Sequence, residues 1–386
     1  MINGPDKEQL YKLILRKTGM KYVFGFNSGQ EAIYAALIAS GIGPKDRIIL
    51  PSYCCQTVAT AIVDSAAEPL FCDINDDYNP DIDHILKIID DRVKSIIVPH
   101  LFGNPAAIDE LEKALEDKGI RSKIFLIDDA AQSFGALLHG RLLGTFGDAG
   151  IISFGPGKTM TASGGGLLIT NLKELADKLA NMPFHKISFC YKFRRLFYWL
   201  IFRRWRKFTL PFYPFLKSIF EGIRVDKSRI MELCNVDAAI AIEQLKKLDS
   251  LLETRIKRKG ILDNQLAQYT SNTLYLLPKN DTNNVSLNVA TKYLVRLNAI
   301  EYNEDVLSTY KDIVEDSGIE IQSLYTPIHL KFAYSNSRIT LSKTEKCYNR
   351  MLQVPVEPSI NNRDFEFILD RFSFFINTMP TSATKN

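Results

Sequence analysis

Long apolar runs and paired cysteines are both missing from this 386-residue chain. No stretch approaches the roughly 18 apolar residues that a membrane-spanning helix requires. Charges interrupt the apolar part of the N-terminal MINGPDKEQLYKLILRKTG, so we expect no signal peptide. The six cysteines form no CxxC pair and show no metal-ligand spacing with the five histidines. Scattered cysteines of this kind predict reduced thiols, a cytoplasmic location and no metal site.

Acidic residues are missing from residues 186–220, although the net charge of the whole chain is only +4. The segment combines nine basic residues with thirteen aromatic ones, including both tryptophans. This composition favours a peripheral membrane contact through residues 188–218, at the inner face of the membrane. Two other interpretations remain open, namely a loop that holds a substrate diphosphate and a helical hairpin packed on its own subunit. Nothing else resembles a nucleic-acid-binding module, so we expect no nucleic-acid partner.

Short β-like runs alternate with helical patterns between residues 47 and 181. The predicted strands are Arg47–Leu50, Pro69–Asp73, Ser95–Pro99, Ile124–Asp128, Gly150–Phe154 and Gly166–Thr170. The predicted helices lie at 6–18, after Ser28, and near 56–65, 82–90, 106–118 and 172–181. This alternation predicts an α/β domain with a mostly parallel, buried sheet. Ligands of such sheets bind at the carboxyl ends of the strands.

Two acids end one of these strands in the sequence IDDAAQSFGA. Neighbouring strand residues point to opposite faces, so Asp128 and Asp129 cannot both face one ligand. A buried carboxylate needs a cationic partner, and the protonated ring nitrogen of a pyridine cofactor is one such partner. Capping of the following helix is the alternative for whichever acid faces away. Gln132 follows on the next turn.

A lysine turn and a helix start supply two further candidates. Lys158 lies between the apolar runs of DAGIISFGPGKTMTASGGGLLIT, where a partly desolvated amine can attack an aldehyde. A surface lysine on a flexible hairpin is the alternative. In NSGQEAIYAALIASGIG, Ser28 and Glu31 have the spacing of a capping box. The free N–H groups of that helix start suit a phosphate, although a plain helix cap has the same sequence.

The succession NSG, GIGPKDRIILPSY, PHLFGNPA, IDDAAQSFGA, GDAGIISFGPGKT and GGGLLIT resembles the DegT/StrS family of pyridoxal-phosphate (PLP) aminotransferases. The match is collinear over residues 20–172, and AAIAIEQLKKLD, YTPIH and VPVEPS continue it more weakly to residue 372. The resemblance implies fold type I, with a large α/β domain, a small C-terminal α/β domain and a homodimer. It also implies PLP as cofactor, a nucleotide-linked keto sugar as substrate and glutamate as amino donor.

The resemblance implies a role for each matching residue. Lys158 would hold the cofactor and move the proton, Asp129 would pair with the pyridinium nitrogen, and Gln132 would lie near the phenolic oxygen. The phosphate would lie at Ser28, Gly29, Gln30 and Ser153. Cys55 stands where an aromatic residue of the family stacks on the cofactor ring.

The chain also departs from the family pattern. Gln30 replaces a threonine, Cys55 an aromatic residue and Gly164 an acid, and no Asn-x-Arg-Met-like stretch is evident near residues 225–231. A histidine at position 158 would indicate the dehydratase branch of the family, and Lys158 argues against it.

The expected domain organisation follows from these motifs. We expect an N-terminal helix (1–20), a large domain (21–185), the basic-aromatic insert (186–225), a connecting helix (226–260), a small domain (261–378) and a disordered tail (379–386). The small domain would contain a strand at Lys292–Leu297 and helices near 304–317, 343–352 and 362–376. His329 of YTPIH falls on a loop that the family places near the active site, and we favour a structural role for it.

The leading hypothesis is an aminotransferase that moves an amino group from glutamate to a nucleotide-linked keto sugar, for a surface polysaccharide or lipopolysaccharide. Two rivals remain: a PLP-binding regulator or scaffold without catalysis, and a PLP enzyme that acts on a non-sugar or lipid-linked substrate.

Overall fold

The structure is a computed structural model that describes residues 4–186, 193, 230–269, 274–276, 286–297, 325–331 and 339–378. The predicted helix near 304–317, the tail 379–386 and, apart from Phe193, the segment 188–218 lie outside these residues. Within the described ranges, no helix is long and apolar enough to cross a membrane.

Ten α-helices and fourteen strands are described. The helices are α1 (Asp6–Thr18), α2 (Gly29–Ala39), α3 (Gln56–Asp64), α4 (Ile82–Ile88), α5 (Ile108–Asp117), α6 (Lys173–Ala180), α7 (Asn235–Lys246), α8 (Leu248–Leu266), α9 (Ser342–Cys347) and α10 (Asn362–Thr378). The strands are β1 (Tyr22–Phe26), β2 (Arg47–Pro51), β3 (Glu68–Cys72), β4 (Val93–Pro99), β5 (Phe125–Asp129), β6 (Leu137–Leu138), β7 (Arg141–Leu142), β8 (Ala149–Ser153), β9 (Gly166–Thr170), β10 (Phe184–His185), β11 (Ile230–Met231), β12 (Leu274–Leu276), β13 (Tyr293–Leu297) and β14 (Met351–Val354).

The central sheet has seven strands in the order β1-β9-β8-β5-β4-β2-β3. Pairing is parallel from β8 through β3, and β9 alone runs antiparallel to both of its neighbours. The predicted α/β class with a mostly parallel sheet is therefore confirmed. The six predicted strands are present within one or two residues of their expected bounds. β1 was not predicted, because its partner β9 lies far along the chain.

Both faces of this sheet are buried, which explains the continuous apolar character of its strands. Along β2, Ile48 and Leu50 belong to a core shared with α2 and α3. Ile49 points the other way, into a core that includes residues of α4 and α5. The period of two along the strand thus assigns each side chain to one helical layer.

The predicted connecting helix is two helices, α7 and α8, which meet at Lys247. Three of the four basic residues of α8 are buried, namely Arg255, Arg258 and Lys259. Arg255 donates to the carbonyl oxygens of Ala290 and Thr291 at 3.4 and 2.9 Å. Hydrogen bonds from these buried cations therefore connect α8 to the backbone of the small domain.

The small domain contains the antiparallel sheet β12-β13-β14. The helix predicted near 343–352 ends at Cys347, and Met351–Val354 form a strand instead. Pairing with β13 and burial of all four residues of β14 outweigh the local helical pattern.

Asp73, at the end of β3, joins the large domain to α9. It is only 8% exposed and accepts hydrogen bonds from Thr344 N at 2.7 Å, Thr344 Oγ1 at 2.6 Å and Lys343 N at 3.0 Å. A carboxylate in this position caps the helix start and satisfies donors that the interface would otherwise bury unpaired.

We expect Asp73→Ala to lower the free energy of unfolding by about 2–3 kcal/mol, because buried N–H donors would lose a charged acceptor. The matched control is Asp76→Ala, since Asp76 is 71% exposed and pairs with Arg296 at the surface. That control should cost at most about 1 kcal/mol. Urea unfolding of both variants measures the difference, and equal losses would contradict the assigned role of Asp73.

Candidate active site

The carboxyl ends of β2, β4, β5 and β8 meet at one edge of the sheet. Ser52 to Cys55, His100 to Gly103, Asp129 to Gln132 and the turn that holds Lys158 follow these strands. The sequence motifs therefore converge where a parallel sheet binds its ligands.

Asp128 and Asp129 point to opposite sides, as expected from their positions in β5. Asp128 is fully buried, and its Oδ1 atom lies 2.8 Å from His100 Nε2. Its Oδ2 atom accepts the N–H groups of Gly144 and Phe146 at 2.7 and 2.9 Å. His100 Nδ1 accepts the N–H of Ala106, so Nε2 carries the proton that Asp128 accepts. Asp128 therefore stabilises the fold and is not available to a ligand.

Asp129 has no such set of partners. It is 5% exposed and accepts one backbone N–H, from Ala131 at 3.0 Å. No ion pair within 4 Å involves it among the residues that the structure describes. Burial raises the pKa of Asp129, and the Ala131 N–H and the charge of Lys158 oppose this only in part. The carboxylate is suited to a cationic ligand group that completes its environment.

Lys158 lies in the turn after β8 and is half-buried. Its backbone is fixed on both sides, because Lys158 N donates to Gly155 O and Thr161 Oγ1 donates to Lys158 O, both at 3.3 Å. Its charge is close enough to Asp129 to affect the pKa of that carboxyl. The hydroxyl of Thr159, 4% exposed, has no hydrogen-bond partner among the described residues. The amine of Lys158, the carboxylate of Asp129 and the unsatisfied hydroxyl of Thr159 thus follow the carboxyl ends of neighbouring strands of the sheet.

The start of α2 forms the expected cradle for a phosphate. Ser28 caps the helix by accepting the N–H of Glu31 at 3.1 Å. A Cβ atom on Gly29 would lie 3.1 Å from Ser153 Cβ and 3.3 Å from Ser153 Oγ, so only glycine leaves room between the helix start and that hydroxyl. The site combines free N–H groups, the positive end of the helix dipole and a serine hydroxyl.

Gln30 turns its side chain away from this cradle. Its Nε2 atom donates to Asp64 Oδ2, on α3, at 3.4 Å. The backbone N–H of Gln30 stays at the helix start, so the loss of the family's threonine hydroxyl leaves the main-chain part of the cradle intact.

An aromatic wall, which the sequence did not predict, lines the cleft beside Gln132. Gln132 Nε2 donates to the Tyr325 hydroxyl at 3.3 Å, and its Oε1 accepts Phe102 N at 3.4 Å. The rings of Phe102 and Tyr325 stack at 6.0 Å, and Tyr53 meets Tyr325 edge-on at 6.0 Å. Cys55 is half-buried at the start of α3, and its Sγ atom lies 3.1 Å from Thr57 Oγ1. Tyr325 lies in YTPIH and Phe102 in PHLFGNPA, so the motifs contained both residues without marking them.

His329 has the structural position that we favoured. Its Nδ1 atom bonds Ser52 Oγ, its N–H donates to the same oxygen at 3.1 Å, and its Nε2 lies 3.2 Å from Glu345 Oε1. It joins the turn after β2 to α9 and is only 4% exposed.

These residues fit pyridoxal phosphate. The cradle between Gly29 and Ser153 would hold the phosphate, and the unpaired carboxylate of Asp129 would hold the protonated ring nitrogen. Lys158 would hold the aldehyde carbon. That assignment of individual residues remains a prediction.

We expect Asp129→Asn to separate stability from activity. Because the pKa of Asp129 is raised in the folded state, ionisation of this carboxyl favours unfolding, and stability falls as the pH rises through that pKa. The cofactor-free variant should be at least as stable as the wild type at pH 7 and lose this pH dependence.

The transamination rate of Asp129→Asn should fall by about 100-fold or more, since a neutral amide cannot hold the ring nitrogen protonated. Urea unfolding of the cofactor-free proteins at several pH values and single-turnover kinetics measure both effects. A less stable variant would contradict the account.

Comparisons with known proteins agree with this geometry. The model of the DegT/DnrJ/EryC1/StrS aminotransferase family matches residues 1–373. GDP-perosamine synthase of Caulobacter vibrioides is 26% identical over 357 residues, covering 91% of this chain and 85% of the relative. The spore coat polysaccharide biosynthesis protein SpsC of Bacillus subtilis is 23% identical over 374 residues, covering 95% and 88%.

A solved structure shows the same fold. NtdA from Bacillus subtilis, with bound cofactor PMP, superposes with a TM-score of 0.75 at 22% identity, covering 97% of this chain and 78% of that one. With the family model spanning nearly the whole sequence, this chain belongs to the DegT/DnrJ/EryC1/StrS aminotransferase family and is a PLP-dependent aminotransferase.

Proposed function

We propose that the protein transfers an amino group from glutamate to a keto sugar carried by a nucleotide, in the synthesis of a surface polysaccharide or lipopolysaccharide. The observation that carries the proposal is the unpaired, buried carboxylate of Asp129 beside Lys158. The printed functions of two relatives, GDP-perosamine synthesis and spore coat polysaccharide synthesis, support the sugar substrate.

Each residue would contribute a distinct physical effect. Bound pyridoxal phosphate supplies an electron sink for the carbon that exchanges its amino group. Asp129 keeps a proton on the ring nitrogen by offering a buried negative charge. Lys158 Nζ removes a proton from one carbon and returns it to another, because it lies at the cleft edge on a fixed turn. The wall of Tyr53, Phe102 and Tyr325 excludes water from the reacting atoms.

We also propose that the protein is a homodimer, as the family resemblance implies. Sedimentation velocity at several concentrations tests this, and a monomer throughout would contradict it. If the protein were an active monomer, one subunit would have to supply every residue of the active site.

Peripheral attachment to a membrane through residues 188–218 is a further part of the proposal. Its support is the sequence alone: eight basic residues, no acid and many aromatic rings in that range. Such a segment binds anionic lipid surfaces through arginine–phosphate contacts and interfacial aromatic rings.

We expect glutamate to bleach the visible absorption of the lysine-bound cofactor, and a nucleotide-linked keto sugar to restore it. Lys158→Ala should abolish both changes, because it removes the amine that would link the cofactor to the protein. The matched control, Lys173→Ala, removes an amine whose side chain is 79% exposed on α6 and should leave both changes intact.

Three other outcomes of the absorption experiment would be decisive. Bleaching that no nucleotide sugar restores would point to a different acceptor. Bound cofactor that ignores every amino acid would favour the non-catalytic regulator or scaffold. Absence of bound cofactor, even after PLP is added, would contradict the assigned site.

We expect the full-length protein to co-sediment with vesicles that contain phosphatidylglycerol, and to do so less as salt rises, since exposed charges are screened. Deletion of residues 188–218 should abolish this binding while the cofactor spectrum remains. Neutral phosphatidylcholine vesicles are the control. Unchanged sedimentation of the deletion variant would remove the membrane from the proposal.

A further inference from the structure

Arg255 of α8 keeps part of its guanidinium without a partner, although the residue lies in the interior of the protein. We propose that Arg255 and Thr291 bind a single small inorganic anion, such as chloride, where the small domain meets the large one. This site would be separate from those of the amino donor and the sugar, so it goes beyond the proposed function and does not depend on it.

The guanidinium of Arg255 is 5% exposed. Its Nη1 atom donates to the carbonyl oxygens of Ala290 and Thr291 at 3.4 and 2.9 Å. Its Nε atom is fully enclosed and has no hydrogen-bond partner among the residues that the structure describes. A guanidinium is planar and rigid, so Nε cannot turn toward another acceptor while Nη1 keeps its two contacts.

Thr291 contributes a second enclosed group without a partner. The residue is 2% exposed, and its Oγ1 atom has no hydrogen-bond partner in the described part of the chain. Its main chain is fully used, because Thr291 N donates to Phe102 O at 2.9 Å and Thr291 O accepts from Arg255. Nε and Nη1 belong to one guanidinium, and the hydroxyl and carbonyl to one residue, so the two unpaired groups flank the same contact.

The charge of Arg255 also lacks a close counter-ion. α8 buries three cations, Arg255, Arg258 and Lys259, and a single acid, Asp263. That acid pairs with Lys259 at 2.7 Å. No ion pair within 4 Å involves Arg255 in the ranges that the structure describes. A buried charge without a partner is costly, so the interior of α8 is suited to one more negative charge.

Glu357 is the acid whose charge affects Arg255. Its carboxylate acts to raise the pKa of Arg255, but burial, which lowers that pKa, is the larger effect. The main-chain oxygen of Glu357, and not its carboxylate, accepts a hydrogen bond from Arg258. Glu357 therefore acts on Arg255 through space and leaves Nε without an acceptor.

A small anion meets both requirements at once. A water molecule would accept the Nε hydrogen bond and bridge to Thr291 Oγ1, but it would leave the buried charge uncompensated. A nucleotide diphosphate or an amino acid is too large, because neither Nε nor Oγ1 is accessible to solvent. A chloride ion accepts from N–H and O–H donors together and has no hydrogen of its own to place.

The anion would strengthen the contact between the two domains. Thr291 N donates to Phe102 O, in the turn after β4, and Phe102 N donates to Gln132 Oε1 at 3.4 Å. Gly103 has a φ of 86°, and a Cβ atom there would lie 2.9 Å from Thr291 N, so glycine permits this close approach. Binding of the anion should therefore stabilise the side of the cleft that contains Gln132.

The first test is the dependence of stability on chloride in the full-length, PLP-loaded protein, whose cofactor already occupies the phosphate cradle. Sodium chloride replaces sodium gluconate at constant ionic strength, so the screening of surface charges does not change. Gluconate is too large for an enclosed site. We expect the urea midpoint to rise with chloride and then to saturate, because the ligand binds only the folded state.

Two variants locate this effect. Thr291→Val removes the hydroxyl and keeps the shape of the side chain, and the apparent Kd of chloride should rise about 10-fold, as a hydrogen bond to a charged group is lost. The matched control is Thr254→Val on α8, whose hydroxyl donates to Ser250 O at 3.0 Å, and it should keep the wild-type dependence. Equal chloride dependence in Thr291→Val and the wild type would overturn the proposal, as would a wild type that ignores chloride.

Bromide locates the anion directly, because it scatters X-rays anomalously. In crystals of the full-length protein soaked in bromide, we expect a peak within hydrogen-bond distance of both Arg255 Nε and Thr291 Oγ1. A water molecule there, without anomalous signal, would overturn the proposal. A bromide peak in a protein whose stability ignores chloride would show binding at crystal concentration only, and would overturn it as well.

Discussion

Two neighbouring carboxylates are buried at the end of β5, and the low-dielectric surroundings make each depend on a partner. Asp128 receives its partners from the fold, through His100 and two backbone N–H groups. Asp129 receives a single N–H and faces the cleft. Successive side chains of β5 point to opposite faces of the sheet. Asp128 therefore stabilises the fold, while Asp129 is left without a cationic partner among the described residues. The proposed placement of the cofactor depends on that separation.

The small domain is tied to this edge by polar contacts that leave few groups unpaired. Arg255 of α8 holds the backbone at residues 290 and 291, and Asp73 caps α9. His329 links the turn after β2 to Glu345. These contacts fix the side of the cleft that the small domain contributes.

Local signals accounted for much of the fold. The continuous apolar strands, the capping serine and the alternating helices were predictable because each depends on a few neighbouring residues. β1 and β14 were missed because each is defined by pairing with a strand distant in sequence. The buried role of Arg255 was missed for the same reason, since a basic helical face has the same sequence whether solvated or buried.

The candidate site followed a similar division. Lys158, Asp129, Gln132, Ser28, Gly29 and Ser153 lie at the end of predicted strands or at a predicted helix start, so motif and position agreed. The sequence could not show where the Gln30 side chain points, because its partner Asp64 lies on a different helix. Tyr325 lies far along the chain from Gln132, and only the tertiary structure brings the two together.

The proposed chemistry requires that the cofactor be linked to Lys158 and to no other amine. Borohydride reduction of the holoprotein, followed by peptide mapping, tests it most directly. We expect one cofactor-labelled peptide, containing Lys158, and none after Lys158→Ala. A label on any other residue would contradict the assignment on which the proposed chemistry depends.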